Sequence, residues 1–340
     1  MDGTVQRELF GQLVDGSAVE RVWLKRFGVE LSVLSYGAVI QNLVVDTPSG
    51  LRSVTLGLRT LEDYVQHSPH MGAIAGRYAN RIRDGQFSLD GVSYQLTRNE
   101  KGRNHLHGGK LGFGRRVWAV EGLSGHSIRL MLVSQAGDEG YPGRVDATCT
   151  YRISAPLQLS IELTATTDAP TIINLAGHSY FNLGSDGDAR DHRLEILADH
   201  YLPVDEFQIP TGEIRPVAGT AFDFRTERRV RSDLPTRYDH TFVSSMAASS
   251  EPRKMARLTA PDSGLALEVW STEPGVQFYD GGNVSVPVPG RDGQSYGPFS
   301  GLCLEPQRFP DSPNHPGFTN VVLRPGETYR QVTEYRFSTG

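Results

Sequence analysis

Imidazoles and carboxylates set among apolar residues are the groups best able to move protons near neutral pH. The chain has 10 histidines in 340 residues. His105 and His107 stand in Asn104–Gly109 (NHLHGG). Positions i and i+2 of a strand share a face, so the pair is open to three readings: a metal site, a catalytic or ligand contact, or two solvated rings in a turn. Gly108 and Gly109 let a ligand or another backbone approach closely. His178 stands in Asn174–Leu183 (NLAGHSYFNL), among Asn174, Ser179, Tyr180, Phe181 and Asn182. A ring so bedded can be oriented to exchange protons, or it can be a core histidine bonded to a carbonyl. Ser179 lacks the frame of a hydrolase nucleophile, because Phe181 takes the last glycine position.

Glu305 lies in Gly301–Pro310 (GLCLEPQRFP). Leu302 and Leu304 face one way on a strand; Cys303 and Glu305 face the other. On the wall of an apolar pocket, desolvation would lift the Glu305 carboxyl toward the range of a general base. The plainer reading is a strand-end charge paired with Arg308. Asp239 in Tyr238–Phe242 (YDHTF) is a ligand contact or a turn residue, and Gln277 in Gly275–Tyr279 (GVQFY) offers a neutral amide to a hydroxyl. Arg77 and Asn80 share Gly76–Ile82 (GRYANRI). The two arginines of that run suggest phosphate, but no glycine-rich nest of amides accompanies them. Ser185–Asp191 (SDGDARD) has calcium-loop composition without the required Gly and Glu, and reads as a surface loop.

The elements that must position these residues are strands. Val29, Leu31 and Val33 alternate with polar neighbours; so do Val145 to Ile153, and Leu157 to Leu163 after a turn at Ser154–Pro156. Asp90-Gly91 marks a hairpin within Phe87–Tyr94. Such strands recur about every 8–12 residues, the spacing of a sandwich or barrel. Residues 58–67 and 246–256 could each hold a turn or two of helix. No βαβ alternation occurs, which argues against a parallel α/β fold. One large, all-β, mostly antiparallel domain over residues 1–340 is expected.

Charge is nearly balanced, 34 Lys+Arg against 39 Asp+Glu, net −5. This argues against nucleic acid as a partner. No apolar run approaches the about 18 residues of a membrane helix, and the first residues have no apolar leader core. No membrane partner and a cytoplasmic location are the resulting expectations. Cys149 and Cys303 sit in apolar alternating runs and read as buried thiols. Nothing in the sequence chooses between a monomer and a homodimer.

Taken in order, GRYANRI, NHLHGG, His178–Leu183 (HSYFNL), YDHTF, GVQFY and Leu302–Gln307 (LCLEPQ) resemble the motifs of the aldose 1-epimerase (galactose mutarotase) family. Gly137–Gly143 (GDEGYPG) and Leu323–Glu327 (LRPGE) look like family segments too. The likeness covers roughly Val29 to Phe337. Six motifs in order are specific for the family, though not for one sugar. The resemblance implies a β-supersandwich with few short helices, a small sugar substrate such as galactose or glucose, and no metal or other cofactor. It implies that Glu305 is the general base on the C1 hydroxyl and His178 the general acid on the ring oxygen. His107, Asp239, Arg77, Asn80 and Gln277 would hold the sugar, with His107 sharing the acid role as a further option. Two departures stand beside it: Gly177, where the family usually has Asn, and Pro306, where Thr is frequent.

Mutarotation needs one proton removed and one supplied, without redox change or covalent intermediate. One carboxylate and one imidazole suffice, and a pH range reaching neutrality would require the site to raise the His178 value, as an adjacent carboxylate such as Asp239 could do. The rivals are a sugar-phosphate or other aldose epimerase, a sugar-binding module, and a metal enzyme using His105, His107 and Glu305.

Overall fold

The computed structural model describes residues 3–184, 187–231 and 236–339. Alternation of apolar and polar side chains drives the chain into strands that each bury one face. Val145–Ala155 sends Val145, Ala147, Cys149, Tyr151 and Ile153 into the core, and Gln158–Thr167 adds Leu159, Ile161, Leu163 and Ala165. The two pair antiparallel inside a nine-stranded sheet. The first five strands, Thr4 to Ser53, form a second sheet, and a six-stranded sheet carries the residues of interest. Three of its strands matter here: β1 (Asp239–Val243), β2 (Gly275–Tyr279) and β3 (Leu302–Gln307). One apolar cluster draws Leu31, Cys149, Leu267, Phe278 and Leu304 from all three sheets. The architecture is therefore the all-β, mostly antiparallel sandwich expected.

All six residues of β3 are buried. Leu302 and Leu304 join the core cluster, so Cys303, Glu305 and Gln307 are buried on the opposite face. Glu305 is thus desolvated although its strand is regular. Pro306 sits opposite Val276, while the other neighbour of β3, Tyr180–Phe181, pairs only with Cys303 and Leu302. The edge at Pro306 needs no N–H on that side.

Local signals were mostly obeyed. Gln86–Leu89 pairs with Val92–Gln95 through Asp90 (φ 50°) and Gly91 (φ 81°), as the Asp-Gly dipeptide predicts. Among the described residues there is one α-helix, α1 (Leu61–His67), begun by a capping box of Thr60 and Asp63. The helix expected over 246–256 does not form; Arg253–Thr259 is a strand. A register shift between Lys254 and Ala256 places Met255 and Ala256 both in the core. That bulge breaks the period of two and hid the strand. In the acidic loop, Ser185 and Asp186 lie outside the described residues; Asp188 pairs with Arg190 and Arg231, and Asp191 with Arg231. Both cysteines are free and buried. No helix among the described residues is long and apolar enough to cross a membrane.

Candidate active site

Strand register assembles the floor of the site. Gln277 on β2 lies between Thr241 on β1 and Glu305 on β3; in the next row Tyr279 lies between Asp239 and Cys303. The Thr241 hydroxyl donates to Gln277 Oε1 (2.5 Å), and Gln277 Nε2 donates to Asp239 Oδ1 (2.6 Å). This relay fixes the amide and leaves Asp239 Oδ2 3.8 Å from the Arg81 guanidinium. Arg81 is itself held by Glu100 through contacts of 2.7 and 3.0 Å, the fork geometry of a strong Arg–carboxylate pair.

His178 stands beside Glu305. Its backbone N–H donates to the Ala73 carbonyl and its own carbonyl accepts from Gly72, each at 2.9 Å. Its ring Nδ1 lies 3.7 Å from Cys303 Sγ, and its Nε2 lies 3.8 Å from Glu305 Oε2. Glu305 is 2% exposed, and Oε2 has no hydrogen-bond partner among the described residues.

His107 enters by a different route. It has φ 50°, and Gly108 (84°) and Gly109 (99°) follow with left-handed backbones. A Cβ on Gly108 would lie 1.7 Å from the Gly76 carbonyl oxygen, so glycine is required there for backbone approach. His107 Nδ1 accepts the Asn80 N–H (3.1 Å), and the His107 N–H donates to the Asn80 carbonyl (3.0 Å). A ring nitrogen that accepts carries no hydrogen, so neutral His107 bears its proton on Nε2. The His107 ring is 5.2 Å from His178 and 4.6 Å from His70, centroid to centroid. A cleft of about 550 Å³ opens at Arg81 and Asp239, lined also by Glu100, Arg103, Phe207 and Tyr279. The arrangement offers a desolvated carboxyl, neutral imidazoles and a ring of fixed donors and acceptors, a setting for proton exchange on a neutral polyhydroxyl ligand.

The family model for aldose 1-epimerase matches residues 20–336. The chain belongs to the aldose 1-epimerase family. It is 41% identical to the galactose mutarotase of Rattus norvegicus, over 98% of this chain and 99% of that one. It is 38% identical to the aldose 1-epimerase of Escherichia coli K12, over 91% and 92%. Among solved structures, an aldose epimerase homologue from C. elegans superposes with a TM-score of 0.86 at 31% identity, covering 92% of this chain and 97% of that one. Galactose 1-epimerase from Lactobacillus acidophilus gives 0.84 at 28% identity, covering 99% of both.

In this aldose 1-epimerase family member, Glu305, His178, His107, Asp239 and Gln277 converge, and Asn80 joins them through His107. Arg77 does not converge. It is 1% exposed, and its guanidinium donates to the carbonyls of Pro142, Gly143 and Gln135 and to the hydroxyls of Thr171 and Ser134. Of the two arginines in this motif the one that reaches the cleft is Arg81, one residue beyond Asn80, whose φ of 63° turns the chain between the two. His105 and His107 do not share a face. The left-handed turn at His107 sends His105 into the interior, against the Thr97 carbonyl (2.7 Å) and the Tyr141 hydroxyl (2.6 Å). Arg308 faces Glu273 at 4.0 Å rather than Glu305. His70 is the residue that motif reading passed over; only a complete inspection of the histidines would have raised it.

Electrostatics also differ from expectation. Burial lowers His178 to about 4, and Asp239 does not raise it. Asp239 acts instead on Glu305, whose value is held well above the ordinary carboxylate range by burial first and by the Asp239 charge second, with Arg81 opposing. Burial lowers His70 to about 3, with His178 and Arg115 adding repulsion. His107 is well below the usual imidazole value for the same first cause, helped by His70 and His178. Asp239 is raised by burial, against the pull of Arg81 and Gln277. The pocket therefore favours neutral forms on both partners.

Proposed function

We propose that this chain interconverts the α and β anomers of free aldohexoses, galactose and glucose among them, by general acid–base ring opening and closure. The observation that carries the reading is the desolvated Glu305–His178 pair, 3.8 Å apart, beside a ring of hydroxyl-holding groups. The pair works with one proton. In the empty site that proton rests on Glu305. When the sugar C1 hydroxyl displaces water at the carboxyl, the proton moves to His178, leaving a carboxylate to take the C1 proton and an imidazolium to protonate the ring oxygen. The ring opens to the aldehyde, C1–C2 rotates, and closure on the other face reverses both transfers. Each positioned proton-transfer group contributes about 10²–10⁴ in rate.

Arg81, Asp239 and Gln277 hold sugar hydroxyls, the last two oriented by the relay from Thr241. His107 presents Nε2–H as a donor to a sugar oxygen, with Asn80 fixing that tautomer. The reaction calls for no metal or other cofactor. The two free, buried cysteines suit a reducing compartment, and we place the enzyme in the cytoplasm, as a monomer or homodimer built on a single domain. The test is polarimetry of freshly dissolved α-galactose and α-glucose. Decay of rotation faster than in protein-free buffer is expected, and no acceleration with any aldose would overturn the proposal.

A further inference from the structure

Glu305 and Cys303 are two residues apart on β3 and point to one side, where His178 meets both. One donor atom from each, a carboxylate oxygen, a thiol sulfur and a ring nitrogen, lie within 4.8 Å of one another, and all three residues are buried. A second observation is independent of this grouping. Glu305 Oε2 is buried beside the other two donors without a hydrogen-bond partner among the described residues.

Sulfur, nitrogen and oxygen donors together select a borderline thiophilic cation over magnesium or calcium. Tetrahedral zinc, with bonds of about 2.3 Å to sulfur and about 2.1 Å to nitrogen and oxygen, sets its donors roughly 3.5 Å apart. Side-chain adjustments of about an ångström bring this triad to that spacing. The fourth position would take water or a sugar hydroxyl. We infer that Cys303, His178 and Glu305 form an inhibitory site for zinc or a similar thiophilic divalent ion, which switches the enzyme off by occupying its acid–base pair. Binding replaces the Cys303 S–H bond and the Glu305 O–H bond by bonds from sulfur and oxygen to the metal and releases both protons to solvent; no electron is transferred. The inference uses the same site as the proposed mutarotation but not its chemistry, so each can fail alone.

The decisive probe is Co²⁺, whose bond to a thiolate gives a charge-transfer absorption. Cys149, the other thiol, is 0% exposed in the core. Chelator-treated protein titrated with CoCl₂ should show that band at one ion per chain. ZnCl₂ should displace the cobalt, and excess galactose should weaken it. In polarimetry, micromolar zinc should abolish mutarotation that millimolar magnesium leaves intact, and chelator should restore it. Cys303→Ala, and Cys303→Ser if the first variant is unstable, should lose the band and weaken zinc binding at least about tenfold. A wild-type protein without the band, a band that survives in the folded Cys303 variants, or, in a chain that catalyses mutarotation, an affinity indifferent to galactose would overturn the inference. A chain that shows the cobalt band and no mutarotation would instead sink the proposed function and leave the metal site standing.

Discussion

Glu305→Gln, read across pH, tests the electrostatics of the site most directly. His178 titrates at about 4 and Glu305 well above its ordinary value. As pH falls, the pair takes its first proton at the higher, glutamate-dominated value and its second near 4, and the working one-proton state lies between. At pH 5 a group of pKa 4 is still roughly nine-tenths deprotonated. Wild-type kcat/KM should therefore be near its plateau at about pH 5 and half of it near about pH 4. His70, at about 3, adds no limb above that. The alkaline limb belongs to Glu305. Substitution by glutamine should cost at least about 10² in kcat/KM, or about 3 kcal/mol, and should abolish that limb in the residual activity. Stability should move the other way. A carboxyl whose folded value is raised holds its proton in the folded state, so stability is lost as pH rises from the unfolded toward the folded value. Glu305→Gln should thus raise Tm in mildly alkaline buffer and change it little in acid. Polarimetric initial rates and thermal melts over one pH series measure both. An acid limb at about pH 6, in the ordinary imidazole range, or a Glu305→Gln rate within tenfold of wild type, would refute the reasoning.

The two arginines of GRYANRI should separate cleanly. Arg77→Ala strands the buried carbonyls of Pro142, Gly143 and Gln135, and should lower unfolding free energy by about 3 kcal/mol or more in denaturant titration. Arg81→Ala removes a cleft cation and should raise KM, with a smaller stability loss than Arg77→Ala from the unpaired Glu100; unchanged KM would mean that the wrong arginine has been given to the sugar. Glu273 is a buried carboxyl with Arg308 at 4.0 Å, and burial lifts it from 4.5 to about 7 against the pull of Arg308, Arg253 and Tyr329. The folded state keeps this proton between those values while the unfolded chain loses it. The penalty is therefore absent below about pH 4.5 and reaches about 3 kcal/mol above about pH 7. Glu273→Gln should stabilise the protein at pH 8 by up to that amount and flatten the decline between pH 5 and 7. Equal wild-type and variant stability at both ends would show that the carboxylate is compensated.

What the sequence made legible was the part governed by strand period. Alternation alone separated Leu302 and Leu304 from Cys303 and Glu305, and the register then had only to bring Gln277 and Thr241 alongside. What it hid was governed by backbone exceptions. Left-handed residues at Asn80 and His107 decide which arginine and which histidine of two short motifs turn toward the site, and spacing carries no mark of either. The bulge at Lys254–Ala256 concealed a strand for the same reason. The charge balance of the site was also out of reach. Asp239 reads as a natural partner for a histidine, and the structure spends it on Gln277 and Arg81, because strand neighbours are fixed by register and not by affinity.

That division explains how the site can keep a carboxyl and imidazoles in forms that water would not favour. The carboxyl sits mid-strand in a sheet covered on both faces, where neighbours lie about 4.5–5.5 Å apart and cannot retreat to solvent. His107 and His70 arrive on tight turns instead, so their rings can crowd to 4.6 Å without distorting the sheet. Desolvation raises the one and lowers the others, and so reverses the order that water would give: the first proton goes to Glu305 rather than to His178. The proton therefore rests on Glu305 in the empty site and passes to His178 only when the sugar is bound, so the pair returns to the same one-proton state after each isomerisation.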